Sequence, residues 1–445
     1  MKQRLQASMA LGMAFILSVV TVFGNPEPTY ADTVDVEADS AILVDAESGK
    51  ILYEKDSDLT LPPASMTKMM TEYLVLEAIE EGDIEWETTT QISDYPYSIS
   101  ANATFSGVGL TQSQDYTVRE LYEAMAINSD NATSIALAEL VAGSEGEFVK
   151  MMNEKAEELG MTDYQFVNAT GLENEDLGEN YPEGTEKEDT NLLSARSSAI
   201  LAYHLVNDYP ESLEISSVPT TEFDGQEIIN WNRMLPGMPG QLAAGSYEGV
   251  DGLKTGFTDL AGFSFTGTAE RDDRRLISVV MKTDSEEARF EETKKLFEYG
   301  FNEFEQKELF QAGHQVDGQS EVEVSKGKEN AVELETAEPI SAPVKNGEEE
   351  LYEVEVNLSD EALDKNGKLE APFEAGEKVG TAELVYNGEE TYSDLQTGEP
   401  LRTEVDIVTS SGVEKANWFM LTIGGVGDFF SDIFSSAVSV VKGWF

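Results

Sequence analysis

Ser65 and Lys68 stand three residues apart in 62-PPASMTKMMTEYLVLEAI-79, directly behind two prolines and at the head of a long apolar-periodic run. On a helix, residues i and i+3 share a face with Cβ atoms about 5 to 6 Å apart. An uncharged amine at that distance can take the hydroxyl proton, provided its neighbours depress a pKa that ordinarily lies near ~10.4. The positive end of a helix acts in that direction and favours an oxyanion, and Pro62 and Pro63 set where the helix starts. This reading makes Ser65 a nucleophile and Lys68 its base. Spacing alone is a weak signal, because it recurs at Ser439 and Lys442 with nothing around it. Two further elements raise it: 129-SDN-131 at a helix–helix junction and 254-KTG-256 within a strand pattern. Three such elements in one order, each in its own structural setting, form a specific signature.

Other chemistries are excluded by composition. The 445 residues contain no cysteine, which removes disulfides, thiolate nucleophiles and Cys-based metal sites. Only two histidines occur. His204 lies in the apolar-periodic stretch 194-SARSSAILAYHLV-206 and His314 among polar residues far downstream, so neither reads as a general base, and no metal-ligand cluster stands out. The 86 acidic against 29 basic residues give a formal net charge of −57. Such a surface repels phosphate backbones, which excludes nucleic acid as a partner. The acids are spread along the chain, as in a solvated halophile-type surface rather than an acidic tail.

The elements that must position these residues follow from periodicity. The segments 41-AILVD-45 and 51-ILYEK-55 flank a turn with Gly49 and read as a hairpin. Helical patterns run from Ser65 to about His204, including 117-TVRELYEAMAI-127, 131-NATSIALAELVAG-143 and 146-GEFVKMMNEKAEELG-160. Strand patterns return at 250-VDGLKTGF-257, 262-GFSFTGTAE-270 and 275-RLISVVMKT-283, before a closing helix at 286-EEARFEETKKLFEYGF-301. Strands, then helices, then strands describe an α/β sheet in which the two ends of the segment meet around a helical insertion. Beyond it, 320-SEVEVSKG-327, 351-LYEVEVNLS-359 and 379-GTAELVYNG-388 indicate a small all-β domain without a cluster of reactive residues.

Ser65-Met66-Thr67-Lys68, Ser129-Asp130-Asn131 and Lys254-Thr255-Gly256 resemble the three motifs of the penicillin-binding protein and serine β-lactamase superfamily. The surroundings, 62-PPASMTKMMT-71, 164-YQFVNATGLEN-174 and 250-VDGLKTGFTDLAGFSFTGTAE-270, are similar to the low-molecular-mass D-alanyl-D-alanine carboxypeptidases. That resemblance implies an antiparallel sheet flanked by helices, a D,D-carboxypeptidase acting on peptidoglycan stem peptides without a cofactor, and inhibition by β-lactams. It implies that Ser129 relays a proton between Lys68 and the leaving amine, that Asn131 binds a substrate amide, and that Lys254 and Thr255 meet the substrate carboxylate. The backbone N–H groups of Ser65 and Phe257, beside Gly256, are the expected oxyanion hole. Arg233 and Arg289 fall where relatives carry arginines near that carboxylate; the alternative for each is pairing with nearby acids. Phe257 departs from the His that follows K-T-G in some relatives, which bears on substrate preference and pH profile. A β-lactamase of the same fold and a non-catalytic wall-binding protein are the competing readings. The E-x-x-L-N segment that carries a deacylating Glu in many β-lactamases is absent.

The expected divisions are a signal peptide at 1–31, a catalytic domain at 32–308, an all-β domain at 309–410 and an anchor segment at 411–445. Lys2 and Arg4 precede the apolar run 9-MALGMAFILSVVTVF-23, and Thr29-Tyr30-Ala31 offers a cleavage site. The protein is therefore expected to work outside the cytoplasm. At the other end Val426, Phe429, Phe430, Ile433, Ala437, Val440, Val441 and Trp444 fall on one helical face, opposite Asp428, Asp432 and Lys442. This pattern suits a helix lying in the membrane interface and binding by apolar insertion. Deleting residues 417–445 is expected to release the protein from phospholipid vesicles in a sedimentation assay; co-sedimentation of the truncated form would refute the anchor.

Overall fold

A continuous apolar run on a strand requires cover on both faces, and the segment Ser40–Asp45 (β1) is buried at every position. In the computed structural model, which describes residues 34–417, β1 is an interior strand, second from the edge, of a five-stranded antiparallel sheet. Its neighbours are Ile51–Lys55 (β2) on one side and, in order, Arg274–Thr283 (β5), Gly262–Arg271 (β4) and Val250–Thr258 (β3) on the other. The two ends of the catalytic segment thus meet in one sheet through the β1–β5 pairing, with Ile42 opposite Val279. The signal-peptide and anchor segments lie outside the described residues.

Helices fill the interval between β2 and β3. A 3-10 turn, Ala64–Thr67, leads into α1 (Lys68–Glu80); α2 (Val118–Asn128), α3 (Asn131–Ala142), α4 (Glu145–Glu158) and α5 (Ala195–Asp208) follow. Thr117 caps α2 in a capping box with Glu120, and Gly143 closes α3 in the left-handed region. Ile42, Val44, Ile277, Val279 and Met281 face this helical core. The alternate residues face α6 (Glu286–Glu303), where Phe265 meets Phe290 edge-on at 5.3 Å. His204 on α5 hydrogen-bonds Asp208 and Gln396, and His314 packs against Phe310, consistent with bland roles for both.

The second region begins at Phe304, within a strand that runs across the expected division at 309. That strand, Phe304–Phe310 (β6), pairs with Ile340–Lys345 (β9). Between them lie Glu321–Ser325 (β7) and Ala331–Thr336 (β8), and beyond them Tyr352–Leu358 (β10), Leu369–Glu370 (β11), Lys378–Tyr386 (β12) and Thr403–Thr409 (β13). These form a six-stranded sheet in the order β10-β12-β13-β8-β7-β11. Its core has its own cluster of buried valines, leucines and aromatics.

From Val36 on, the described chain is nevertheless one compact unit, and a single lysine shows why. Lys50, in the β1–β2 turn, is 1 % exposed. Its Nζ donates to Pro343 O at 2.7 Å and to Tyr352 Oη at 2.9 Å and sits 3.7 Å from the centre of the Tyr392 ring. In return Leu395 enters the core of the first region, its N–H donating to Gly49 O at 2.9 Å. Burial lowers the Lys50 amine from 10.5 to about 7. An unfolded lysine keeps its ordinary value, so the penalty for burying the charged form is full below pH 7 and fades as pH rises from about 7 towards 10.5. The melting-temperature difference between wild type and Lys50→Met should accordingly shift in favour of the wild type between pH 6.5 and 9.5, by several degrees in calorimetry; a constant difference would contradict this.

Candidate active site

The turn that carries Ser65 is tighter than an α-helix. Pro63 lacks an N–H, Ala64 adopts a φ of 48°, and Met66 N–H donates to Pro63 O at 3.2 Å. The expected first α-turn is therefore a 3-10 turn, and α1 proper starts at Lys68. Two glycines from distant segments press on it. A Cβ on Gly256 would lie 2.3 Å from Pro63 O, and one on Gly171, whose φ is +84°, would lie 1.8 Å from Ala64 O.

Lys68 is fully buried, and its Nζ has three partners: Ser65 Oγ at 2.9 Å, Asn131 Oδ1 at 2.8 Å and Thr170 O at 2.7 Å. Two are acceptors only; the third is a hydroxyl that can donate. A neutral amine, with two N–H groups and one lone pair, satisfies that set. Burial, then the charge of Lys254, hold Lys68 well below its usual range, against the opposing pull of Asp130 and Glu72.

The segment 164–174 holds the Thr170 carbonyl in place. Asn168 Oδ1 accepts from the N–H groups of Thr170 and Gly171 at 3.1 and 2.8 Å. Ala169 donates to Glu145 Oε1 at 2.8 Å and accepts from Thr71 Oγ1 at 2.9 Å. On the other wall, Ser129 ends α2 in the left-handed conformation, φ 61°. Asp130 caps α3 and accepts from the N–H groups of Thr133 and Val108 at 2.7 and 2.6 Å. Asn131 also donates its side-chain amide to Ser106 O at 3.2 Å, so its carboxamide is engaged at both ends.

Alternation along β3 distributes the third motif. Lys254 lies opposite Thr266, whose hydroxyl donates to Met66 Sδ at 3.3 Å, and it is buried on the helical side. Thr255 and Phe257 lie opposite Phe265 and Phe263 and face outward, into a cleft of about 290 Å3. Ser65, Ser129 and Arg289 share that cleft. The Ser129 hydroxyl is buried there and has no hydrogen-bond partner among the described residues, so the contact with Lys68 that a proton relay needs is not made. Among the described residues Lys254 Nζ has one hydrogen bond, to Thr255 O at 3.5 Å.

Arg289 is buried beside the cleft. Its Nη1 donates to Gly256 O at 3.2 Å, its Nη2 lies 3.4 Å from Glu286, and burial lowers it to about 10. Arg233 does not line the cleft; it pairs with Glu286 at 2.8 Å and Glu287 at 3.8 Å, the alternative considered for it. Sequence reasoning passed over Trp231, Ser106, Phe263 and Glu286, which also line the cleft. Trp231 stands beside Arg233 in the chain and donates to Asn128 O at 2.9 Å; Phe257, 48 % exposed, stacks on Phe263 at 4.3 Å. An aromatic wall opposite a Lys-paired serine was signalled only by two exposed-type aromatics in strands that pair.

A two-region chain with a hydroxyl–amine pair under one cleft, an S-D-N corner and a K-T-G edge strand defines the penicillin-binding protein class. Residues 27–285 match the D-alanyl-D-alanine carboxypeptidase family and residues 304–415 the penicillin-binding protein 5 C-terminal domain, so the chain belongs to the D-alanyl-D-alanine carboxypeptidase family and is a serine carboxypeptidase. It is 30% identical to the D-alanyl-D-alanine carboxypeptidase DacF of Bacillus subtilis over 387 residues, 87% of this chain and 91% of that one. Among solved structures it is similar to a peptidoglycan synthesis regulatory factor (PBP3) of Streptococcus pneumoniae, at 38% identity and a TM-score of 0.69, over 85% of this chain and 100% of that one. It is also similar to penicillin-binding protein D2 of Listeria monocytogenes in an ampicillin-bound form, at 34% identity and a TM-score of 0.51, over 61% and 100% of the two chains.

Gly171→Ala should move the Ser65 turn by tenths of an ångström or more. A displacement near 1 Å at a reacting group lowers rate about 100-fold. Steady-state carboxypeptidase assays should show a loss of that order in kcat with KM little changed; full activity would show that the turn is not held from this side.

Proposed function

We propose that the protein removes the terminal D-alanine from peptidoglycan stem peptides through an acyl-enzyme on Ser65, and that β-lactams acylate the same serine. The observation that carries this reading is the 2.9 Å contact between Ser65 Oγ and an amine whose surroundings favour its neutral form. Lys68 takes the Ser65 proton as Oγ bonds to the penultimate D-Ala carbonyl carbon. The C–N bond then breaks, and the proton passes through the Ser129 hydroxyl to the departing D-Ala amine. After D-Ala leaves, Lys68 deprotonates a water that adds to the ester carbonyl; the C–O bond to Ser65 breaks, the shortened peptide leaves as the acid, and Lys68 returns the proton to Oγ. The N–H groups of Ser65 and Phe257 take the oxyanion.

Position supports the binding roles. β3 is an edge strand, so an extended peptide can add beside it. Thr255 and Arg289 both line the cleft, which supports their meeting the substrate carboxylate there, with Lys254 supplying positive potential from the buried side of β3. Arg233 acts at one remove, by holding Glu286. The Asn131 amide serves the substrate once released from Ser106. The similar Listeria protein is an ampicillin-bound form, which supports the β-lactam reading here. We further place the enzyme outside the cytoplasm, held on the membrane by residues 417–445.

Two limbs are expected in the pH dependence of kcat/KM. Activity rises as Lys68 loses its proton, at a pH well below that of an ordinary lysine, and falls at alkaline pH as Lys254, also lowered by burial, loses the charge that draws in the carboxylate. Purified protein should release D-Ala from a D-Ala-D-Ala peptide and retain labelled penicillin, across a range of salt concentration. Ser65→Ala should abolish both; D-Ala release by that variant at the native rate would falsify the mechanism, and rapid loss of label with β-lactam turnover would indicate a β-lactamase.

A further inference from the structure

Glu72 is an ionisable group at the site that the proposed mechanism leaves without a task. It follows Lys68 by one helical turn and Ser65 by two, so the three share one face of the helical segment. It is 3 % exposed, and it accepts a long hydrogen bond from Tyr122 Oη to Oε2 at 3.4 Å. No direct ion pair reaches it among the described residues, although a buried carboxylate with so little support is ordinarily destabilising. Its compensation comes at longer range, from Lys254 on β3 and Lys68 on its own helix.

We propose that Glu72 is a positioning residue for charge: it keeps Lys254 protonated while Lys68, closer to the nucleophile, stays a free base. The assignment rests on the roles of Lys68 and Lys254 given above. Two buried lysines repel each other, and one carboxylate neutralises one of them. Lys254 depends on it more: Glu72 is the anion that acts on Lys254 against the repulsion of Arg289, whereas Lys68 also has Asp130. The other groups acting on the cluster are Arg289 from α6, which disfavours the charge on Lys254, Asp130 from the α2–α3 corner, which favours charge on Lys68, and Tyr122 from α2. Burial raises the Glu72 carboxyl, so its negative charge, and with it the support for Lys254, grows as pH rises into the range where Lys254 would otherwise lose its proton.

The test is the kcat/KM–pH profile for a D-Ala-D-Ala peptide, measured with the full chain as wild type, Glu72→Gln, Glu72→Asp and Tyr122→Phe. Glu72→Gln should move the alkaline limb to lower pH by about one unit, a tenfold loss near pH 8.5, seen mainly in KM, with less than about a threefold change near pH 6. Glu72→Asp should restore most of the loss. Tyr122→Phe, which removes the hydrogen bond to the carboxylate, should shift the limb in the same direction by less, and provides the test if Glu72→Gln does not fold. A uniform loss at every pH, or superimposable profiles, overturns the assignment while leaving the Ser65–Lys68 reading intact. A wild-type profile without an alkaline limb overturns the role of Lys254 and this assignment together.

Discussion

A lysine amine kept uncharged in a protein with a formal charge of −57 is the constraint on which the site depends. An anionic environment ordinarily stabilises an ammonium, so Lys68 can be a base only if it is cut off from that field. Full burial does this, and the second cation at Lys254 reinforces it. The partners then select the neutral form, since Asn131 Oδ1 and Thr170 O accept and leave the lone pair for Ser65. Each partner belongs to a different segment. In the proposed mechanism the helical insertion, the 164–174 loop and the sheet edge must therefore all be in place before Ser65 can react.

The same division of labour appears in the cations. In the proposed mechanism a substrate carboxylate has to approach a strongly negative protein, drawn by Lys254, buried behind the cleft, and by Arg289, buried in its wall. Buried positive charge is screened little by salt, whereas surface pairs such as Lys150–Glu147 are solvated and weak. Strand alternation makes this possible: adjacent residues of one motif point in opposite directions, Lys254 to the helical core and Thr255 to the cleft.

The two regions are joined by reciprocal insertion rather than by a linker. Lys50 enters the Tyr352–Tyr392 cage of the β-rich region, and Leu395 enters the core of the first. An ammonium stem seated among aromatic rings is costly to misplace, which fixes the orientation of the joint.

Much of this was legible in the sequence. Binary patterning located β1 to β5 and the helices between them, because residues buried on a strand or helix must recur with its period. The three motifs singled out Ser65, Lys68, Ser129 and Lys254 as candidates for the chemistry, because few side chains can do that work in a chain with no cysteine and two histidines. Tertiary structure alone decided the rest. It placed Arg233 on Glu286 instead of in the cleft, left the Ser129 hydroxyl without a partner, brought a backbone carbonyl at Thr170 to Lys68, and set Trp231 on the rim. It also joined Lys50 to a cage some 300 residues away in the chain, since Lys50 and Tyr352 are separated by 302 positions. Such relations depend on distance and desolvation between segments remote in sequence, and neither quantity is encoded in local spacing.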